Sequence, residues 1–156
     1  SHLGSIWEGT SNIVALDVLR AARRDRAHET LRTELRQRLA AASVLERALT
    51  LRLDDALCRS VDFVEQAAHA GEQGDRQARQ AASALYHASS AILLATEGSA
   101  SAAAGGDARR ILMARLVLDH KLSARDPLAF EAPIGAAQVA EQLLSEDPVG
   151  ARSLAK

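Results

Sequence analysis

The chain is poor in aromatic residues, proline and cysteine. Aromatic side chains account for 3% of its 156 residues, and it has three prolines and one cysteine. Strands favour aromatic and β-branched residues, whereas Ala, Leu, Arg, Glu and Gln, which are abundant here, favour helices. The composition therefore predicts an all-α fold, a helical bundle of five or six mostly antiparallel helices. A core of Ala and Leu packs helices closely, which argues against a roomy, self-contained active site.

Further absences exclude whole classes of protein. The single Cys58 excludes an internal disulfide, and its apolar helical surroundings indicate packing rather than nucleophilic chemistry. No apolar run approaches the roughly 20 residues that span a bilayer, and no signal peptide is visible. The net charge of −1 gives no general attraction to nucleic acid or membrane. We therefore expect a cytoplasmic protein with no membrane partner. No metal site is expected, because His87 has no Cys or His at helical spacing.

Apolar periodicity divides the first half of the chain into three helices. The first is predicted from near Asn12 to Asp25 and the second from about His28. Ser43-x-x-Glu46 matches a capping box, which predicts either a fresh helix or a kink there. The apolar stripe that follows is close to a heptad seam, which implies antiparallel partners in a bundle. Its members are Val44, Leu45, Leu49, Leu53, Leu57, Val61 and Val64.

Glycine and aspartate mark the predicted boundaries of the next helix. Gly71 is the predicted C′ residue of the preceding helix, and Asp75 is the predicted N-cap. The helix itself is predicted from Arg76 to about Glu97. Its end is placed at Gly98, because glycine is the usual helix terminator.

The remainder of the chain is predicted to hold one loop and two shorter helices. Residues 99–106 are small and glycine-containing, which indicates a mobile loop. Asp107 is predicted to cap the helix that follows it. Pro133 is predicted to start a last short helix that ends before Asp147, and residues 149–156 are expected to fray.

Arginine is concentrated between Arg20 and Arg38. This segment holds seven arginines against three acidic residues, a local excess of four positive charges. It is the best candidate in the chain for a DNA-facing patch. A solvated helix face is the favoured interpretation, because the acids are interleaved at i±3 and i±4 spacing. The seven residues are Arg20, Arg23, Arg24, Arg26, Arg32, Arg36 and Arg38.

One short stretch combines residue types that suit chemistry: Ile6, Trp7, Glu8, Gly9, Thr10, Ser11, Asn12 and Ile13. Thr10 or Ser11 as N-cap would leave backbone N–H groups at a helix start facing an anion such as a phosphate. Glu8 precedes that helix beside the Trp7 ring, where desolvation would suit a carboxyl group to proton transfer. Gly9 permits the close approach of a ligand. A glutamate before a helix is otherwise usually a surface charge.

This stretch resembles the C-terminal signature of the acyl-CoA dehydrogenase family, aromatic-Glu-Gly-Thr-Ser-x-Ile followed by a helix. The resemblance implies that Glu8 is the base that removes the α-proton of an acyl-CoA thioester, while the hydride from the β-carbon goes to N5 of FAD. It implies that Trp7 and Gly9 lie against the substrate. The residues that would face the FAD are Thr10, Ser11 and Asn12.

The fuller run from Ile6 to Leu19 is similar to the alkylation-response branch of that family. That branch carries an extra helical domain after the motif, which some members use to bind DNA. The family's N-terminal helical domain and middle β-domain have no counterpart in this sequence. The resemblance therefore implies a C-terminal fragment of a larger oxidoreductase, inactive by itself and without bound FAD.

We expect residues 1–156 to form a single C-terminal helical domain. Residues 6–25 would hold the motif and the first helix, residues 28–125 the main bundle, and residues 126–156 a short terminal helix and tail. Two alternatives to the enzyme part stay open. The first is a homo-oligomerisation module, because family members are commonly tetramers assembled through C-terminal helices. The second is a DNA-binding extension, which the arginine-rich segment suggests.

Overall fold

The computed structural model describes residues 11–123 and 136–150, which form an all-α bundle. The fold class predicted from composition is therefore confirmed. The helices are α1 (Ser11–Asp25), α2 (Ala27–Ala41), α3 (Arg47–His69), α4 (Glu72–Ala103), α5 (Arg109–Val117) and α6 (Ala136–Leu144). A π-helical turn, Leu118–Leu122, follows α5 directly.

Helices α2, α3 and α4 run antiparallel to their neighbours in sequence. Between α2 and α3, Arg36 pairs with Asp54 while His28, earlier in α2, contacts Glu65, later in α3. Between α3 and α4, the Ser60 hydroxyl donates to the Ala84 carbonyl at 3.2 Å. Later positions on one helix thus meet earlier positions on the next, which is the geometry that short connections impose.

The core is made of aliphatic side chains from five helices and the π-helical turn. The predicted apolar stripe is confirmed from Leu49 to Val64, whose members are all buried, whereas Val44 and Leu45 precede α3 and are half-buried. Complete burial of a leucine or isoleucine side chain contributes roughly 1.5–3 kcal/mol, so this interior accounts for the stability of the bundle. The largest fully buried apolar side chains are Leu19, Leu35, Leu53, Leu57, Val61, Val64, Ile92, Ile111 and Leu112.

Helix α4 is longer than predicted at both ends. It begins at Glu72 with Gly71 as N-cap, so the prediction of Asp75 as N-cap is wrong. Gly74 lies inside the helix, where a Cβ would sit 1.9 Å from the Ala67 carbonyl oxygen of α3, so the close approach of the two helices requires glycine there. Gly71 itself has φ +57° directly after the C-cap of α3, which confirms its predicted C′ position.

The helix also continues through Gly98, where its end was predicted. The predicted loop over residues 99–106 is wrong for its first five residues, which are helical to Ala103. The true end has a Schellman motif, in which Gly105 N–H donates to the Ala102 carbonyl and Gly106 N–H to the Ser101 carbonyl. Gly105 has φ +78°, a conformation that favours glycine.

Two predicted caps have different outcomes. A fresh helix does follow Ser43, but it begins at Arg47 with Glu46 as N-cap and no side-chain cap bond, so the capping box does not form. Asp107 does bind the start of α5, because its Oδ1 accepts the Arg109 N–H at 2.8 Å.

The C-terminal segment after α6 is fastened to the start of α5. Val149 is buried, its N–H donates to Asp107 Oδ1 at 3.1 Å, and its carbonyl accepts the Ala108 N–H at 2.9 Å. Fraying predicted from residue 149 onward is therefore wrong for Val149, and residues 151–156 lie outside the described residues. The predicted start at Pro133 also lies outside them, while the end of α6 at Leu144 agrees with the prediction.

Candidate functional site

The predicted catalytic stretch lies mostly outside the described part of the chain. The described residues begin after Trp7, Glu8, Gly9 and Thr10. The roles of Glu8 as base, of Trp7 and Gly9 as substrate contacts and of Thr10 as a cofactor contact therefore stay predictions. Ser11 and Asn12 are the first two residues of α1, and both are exposed. The predicted first helix is confirmed over Ser11–Asp25.

Helix α1 is held on the bundle by one face. Ala15, Leu19 and Ala22 are buried against the core at helical spacing. The first turn is less covered, because Ile13 and Val14 are each 51% exposed. The first described turn of α1 thus carries exposed apolar side chains, whereas the rest of the helix is packed on the core.

Ser11 and Asn12 are residue types expected at an anion site of the helix-terminus type. The first four N–H groups of a helix have no intrahelical acceptor, and the helix dipole adds partial positive charge there. The hydroxyl of Ser11 and the amide of Asn12 are exposed on the first described turn of α1. Such an arrangement is chemically suited to a diphosphate, which accepts hydrogen bonds from N–H and O–H donors.

Every arginine of the predicted DNA-facing patch lies within ion-pair distance of a carboxylate. Three of the pairs connect different helices: Arg23 with Asp75 at 3.0 Å, Arg32 with Asp62 at 3.9 Å, and Arg36 with Asp54 at 2.6 Å. The other four arginines pair with acids within their own stretch of chain. These pairs are Arg20 with Asp17, Arg24 with Asp25, Arg26 with Glu29, and Arg38 with Glu34.

The pair between Arg36 and Asp54 has the most favourable geometry. Arg36 Nε and Nη2 donate to the two carboxylate oxygens of Asp54 at 2.6 and 2.9 Å, the two-bond arrangement that suits guanidinium and carboxylate. The hydrogen bonds from Arg36 lower the pKa of Asp54 below its usual range. Arg36 Nη2 also lies 2.9 Å from Cys58 Sγ. The arginine and its charge are therefore engaged by α3.

Arg26 has a local structural role between the first two helices. Its backbone is left-handed, with φ 49° and ψ 33°, which interrupts the helical run between Asp25 and Ala27. Its side chain donates from Nε to Glu29 Oε2 at 2.9 Å, and this bond lowers the pKa of Glu29. Together the seven arginines form a charge-compensated surface, which favours the solvated-face interpretation over a DNA-facing patch.

The sequence gives no signal for the most buried histidine. His28 is 3% exposed, and its Nε2 contacts the Glu65 carboxylate from α3. Its Nδ1 is buried and has no hydrogen-bond partner among the described residues. Glu65 also lies 3.5 Å from His69 Nδ1, one turn later on α3. A polar contact between α2 and α3 is thus inserted at the edge of an otherwise aliphatic core.

The described residues contain neither a metal-binding cluster nor a membrane-spanning helix. Within residues 11–123 and 136–150, no three His, Cys, Asp or Glu side chains are grouped so that they would hold a metal ion. No helix in that part of the chain is long and apolar enough to cross a bilayer. Comparison with protein-family models, curated proteins and solved structures gives no match to this chain.

Proposed function

We propose that the chain is the C-terminal helical part of an FAD-dependent acyl-CoA dehydrogenase, with Glu8 as the base. The observation that carries the proposal is the stretch from Ile6 to Ile13, in which a carboxylate, a glycine and two hydroxyl residues lead directly into a helix. Ser11, Asn12 and Ile13 of this stretch are helical, which is consistent with a helix that follows the motif. The intact enzyme would convert an acyl-CoA thioester into its α,β-unsaturated form.

Glu8 would act on the α-carbon of the thioester. Its carboxylate would take the α-proton and become a carboxylic acid, and the electrons of the broken C–H bond would form the new double bond. The adjacent Trp7 ring would exclude water from that carboxylate and thereby raise its pKa, which would suit it to accept a proton from carbon. Gly9 would leave room for the thioester beside the backbone. FAD, when bound, would supply the hydride acceptor for the β-carbon.

The start of α1 supports the proposed cofactor contact. Ser11 and Asn12 are exposed on the first described turn of α1. Thr10, Ser11 and Asn12 would donate hydrogen bonds to the flavin diphosphate, whose negative charge suits the helix dipole. The remaining FAD contacts would come from elsewhere in the protein.

The exposed apolar residues beside the motif support a larger assembly. Ile13 and Val14 lie on the first turn of α1, and each leaves half of its surface in solvent. Other domains of the same enzyme would cover them. A second copy of this chain is the alternative cover, and size-exclusion chromatography with light scattering separates the two. Self-association that is abolished by Val14→Ser would favour the oligomerisation module over the enzyme part.

The test of the proposed base is made in the complete flavoprotein that the proposal requires. Glu8→Gln preserves the size of the side chain but removes its ability to accept a proton. Loss of a general base lowers rates by about 10²–10⁴-fold, so the rate of flavin bleaching on anaerobic mixing with acyl-CoA should fall by that order. Flavin reduction by dithionite should be unchanged, because it needs no base.

Glu34→Gln is the matched control for this substitution. Glu34 is an exposed glutamate of α2 that pairs with Arg38 on the surface, so its replacement removes one charge without reaching the motif. Its flavin reduction rate should equal that of the unmodified enzyme. The proposal fails if Glu8→Gln is reduced by acyl-CoA as fast as this control. The isolated chain should be colourless, and copurification of FAD would show that the cofactor is held within these residues.

A further inference from the structure

A pocket of about 430 Å³ lies between α3 and α4, away from the start of α1. Each helix contributes one face at the i, i+3, i+4 and i+7 positions, from Ala56 to Phe63 on α3 and from Gln80 to His87 on α4. Lys121 and Leu122 of the π-helical turn close it on a third side. Its volume falls within the 300–1,000 Å³ that is usual for small-molecule sites.

Small side chains between the two helices create the concavity. Ala56, Ser60, Ser83 and Ala84 form the floor, so that no long side chain fills the groove. The Ser60 hydroxyl is buried and donates to the Ala84 carbonyl, which fixes the spacing of the helices at this point. The pocket is therefore a stable feature of the antiparallel pair rather than a gap between loosely packed side chains.

The ionisable side chains that line the pocket are all of basic residue types. Arg59, His87 and Lys121 line it, and no aspartate or glutamate does. Arg59 lies 3.6 Å from Asp55, a weak pair because both side chains are well exposed. Lys121 forms no ion pair with the described residues, in contrast to the seven paired arginines of α1 and α2. The pocket thus concentrates available positive charge on a chain whose net charge is −1.

The other residues that line the pocket indicate the chemical class of ligand that would fit it. Ser83 and Gln80 offer hydroxyl and amide donors beside the basic groups, the set of donors that phosphate oxygens accept. Phe63 and Leu122 add an apolar wall. A ligand that satisfies both parts carries a phosphate on a small, flat, apolar group. The neighbouring π-helical turn is a type of distortion that is frequent at functional sites.

We propose that this pocket binds a small organic phosphate ester. Arg59 and Lys121 hold the phosphate, the hydroxyl of Ser83 and the imidazole of His87 complete its hydrogen bonds, and Phe63 packs against the organic group. The inference does not depend on the proposed dehydrogenase function, because no residue of the motif contributes to the pocket. Each can fail without the other.

Phenyl phosphate is the probe for this proposal. Titration of the full chain, followed by amide chemical shifts, should give saturable changes at Ser83, His87 and Lys121. Inorganic phosphate lacks the ring, and benzoate lacks the phosphate, so both should bind at least about fivefold more weakly, the factor expected for the loss of one moderate interaction. Added salt should weaken binding, since the basic groups are open to solvent.

Lys121→Gln is the diagnostic variant, and Arg47→Gln is its matched control. Both replace one exposed cation, but Arg47 lies at the other end of α3, about 18 Å along the helix from Arg59. Lys121→Gln should raise the dissociation constant for phenyl phosphate about fivefold or more, a typical loss for a charge-assisted hydrogen bond. Arg47→Gln should leave it within twofold.

Four results would overturn the proposal. Equal weakening by Arg47→Gln and Lys121→Gln would show only general attraction to positive charge. Equal binding of benzoate and phenyl phosphate would show that the site does not select phosphate. Shift changes confined to the start of α1, or no saturation at millimolar phenyl phosphate, would show that the pocket is not a phosphate-ester site.

Discussion

Gly98 of α4 lies directly against Ile111 of α5. A Cβ at position 98 would be 2.8 Å from Ile111 Cγ1 and 2.9 Å from Ile111 N, both closer than real Cβ contacts. The glycine therefore allows the close approach of two helix backbones, and the helix continues through it to Ala103. Close packing, rather than helix termination, accounts for a glycine at this position.

Gly98→Ala should destabilise the protein. Alanine is favoured over glycine inside a helix by about 0.5–1 kcal/mol, but overpacking of a filled contact costs about 1–3 kcal/mol. Because one of the two contacts is a backbone atom, we expect a lower free energy of unfolding in urea. Gln77→Ala on the exposed face of α4 is the control and should change it by less than about 0.5 kcal/mol. A more stable Gly98→Ala variant would contradict the close approach.

The contact between His28 and Glu65 gives a second prediction. Glu65→Ala leaves the buried His28 ring without a partner for Nε2 as well as for Nδ1. An unsatisfied buried polar group costs roughly 1–3 kcal/mol, so the free energy of unfolding should fall by that order.

Asp62→Ala is the control for the Glu65 substitution. It removes a carboxylate from the same helix, but its partner Arg32 is 3.9 Å away and its side chain is 62% exposed. A pair of this kind contributes about 0–1 kcal/mol. Equal effects of the two substitutions in denaturant titrations would mean that the His28 contact contributes no more than a surface ion pair.

The sequence predicted those parts of the fold that depend on local pattern. The apolar stripe of α3 and the break between α1 and α2 follow from the spacing of leucines and from the polar residues around Arg26. The end predicted at Gly98 was wrong because a glycine that ends a helix and a glycine that allows helices to touch have the same local sequence context. Only the distance to Ile111 separates the two cases.

The charge balance shows the same limit of local pattern. The excess of positive charge between Arg20 and Arg38 was counted over one segment, whereas Asp54, Asp62 and Asp75 belong to α3 and α4. Antiparallel packing brings those acids onto the arginines. His28 likewise carries no local mark of burial, because its cover comes from Glu65 on the next helix.

Asp107 should make the attachment of the C-terminal segment depend on pH. Its hydrogen bond from the Arg109 N–H, and a second one from the Val149 N–H, lower the pKa of its carboxyl group. A lowered folded-state pKa means that the stabilisation is complete above the unfolded value of about 3.9 and is lost as pH falls through the folded-state pKa.

Amide exchange at Val149 measures this attachment. The protection factor should be constant from neutral pH to about pH 4 and should fall below it as Asp107 is protonated. Asp107→Ala should show low protection at every pH, whereas Glu146→Ala, an exposed acid of the same segment, should behave like the unmodified protein. Protection that is unchanged in Asp107→Ala would show that the Ala108 bond to the Val149 carbonyl is sufficient.

Because the arginines between Arg20 and Arg38 are paired with carboxylates, we expect the chain not to bind duplex DNA at about 0.15 M salt. At that salt concentration exposed charges are screened beyond roughly 8 Å. Asp54→Asn with Asp62→Asn removes the partners of Arg36 and Arg32, so retention at low salt should increase in mobility-shift assays. Glu146→Gln with Asp147→Asn changes the net charge equally in the C-terminal segment and should have a smaller effect on DNA binding.

Strong DNA binding by the unmodified chain that is lost in Arg32→Gln with Arg36→Gln would instead establish the patch as DNA-facing. Comparison of the Asp54/Asp62 and Glu146/Asp147 double substitutions separates the arrangement of charge from its total amount. Only the Asp54/Asp62 substitution frees arginines that are now paired with carboxylates on α3.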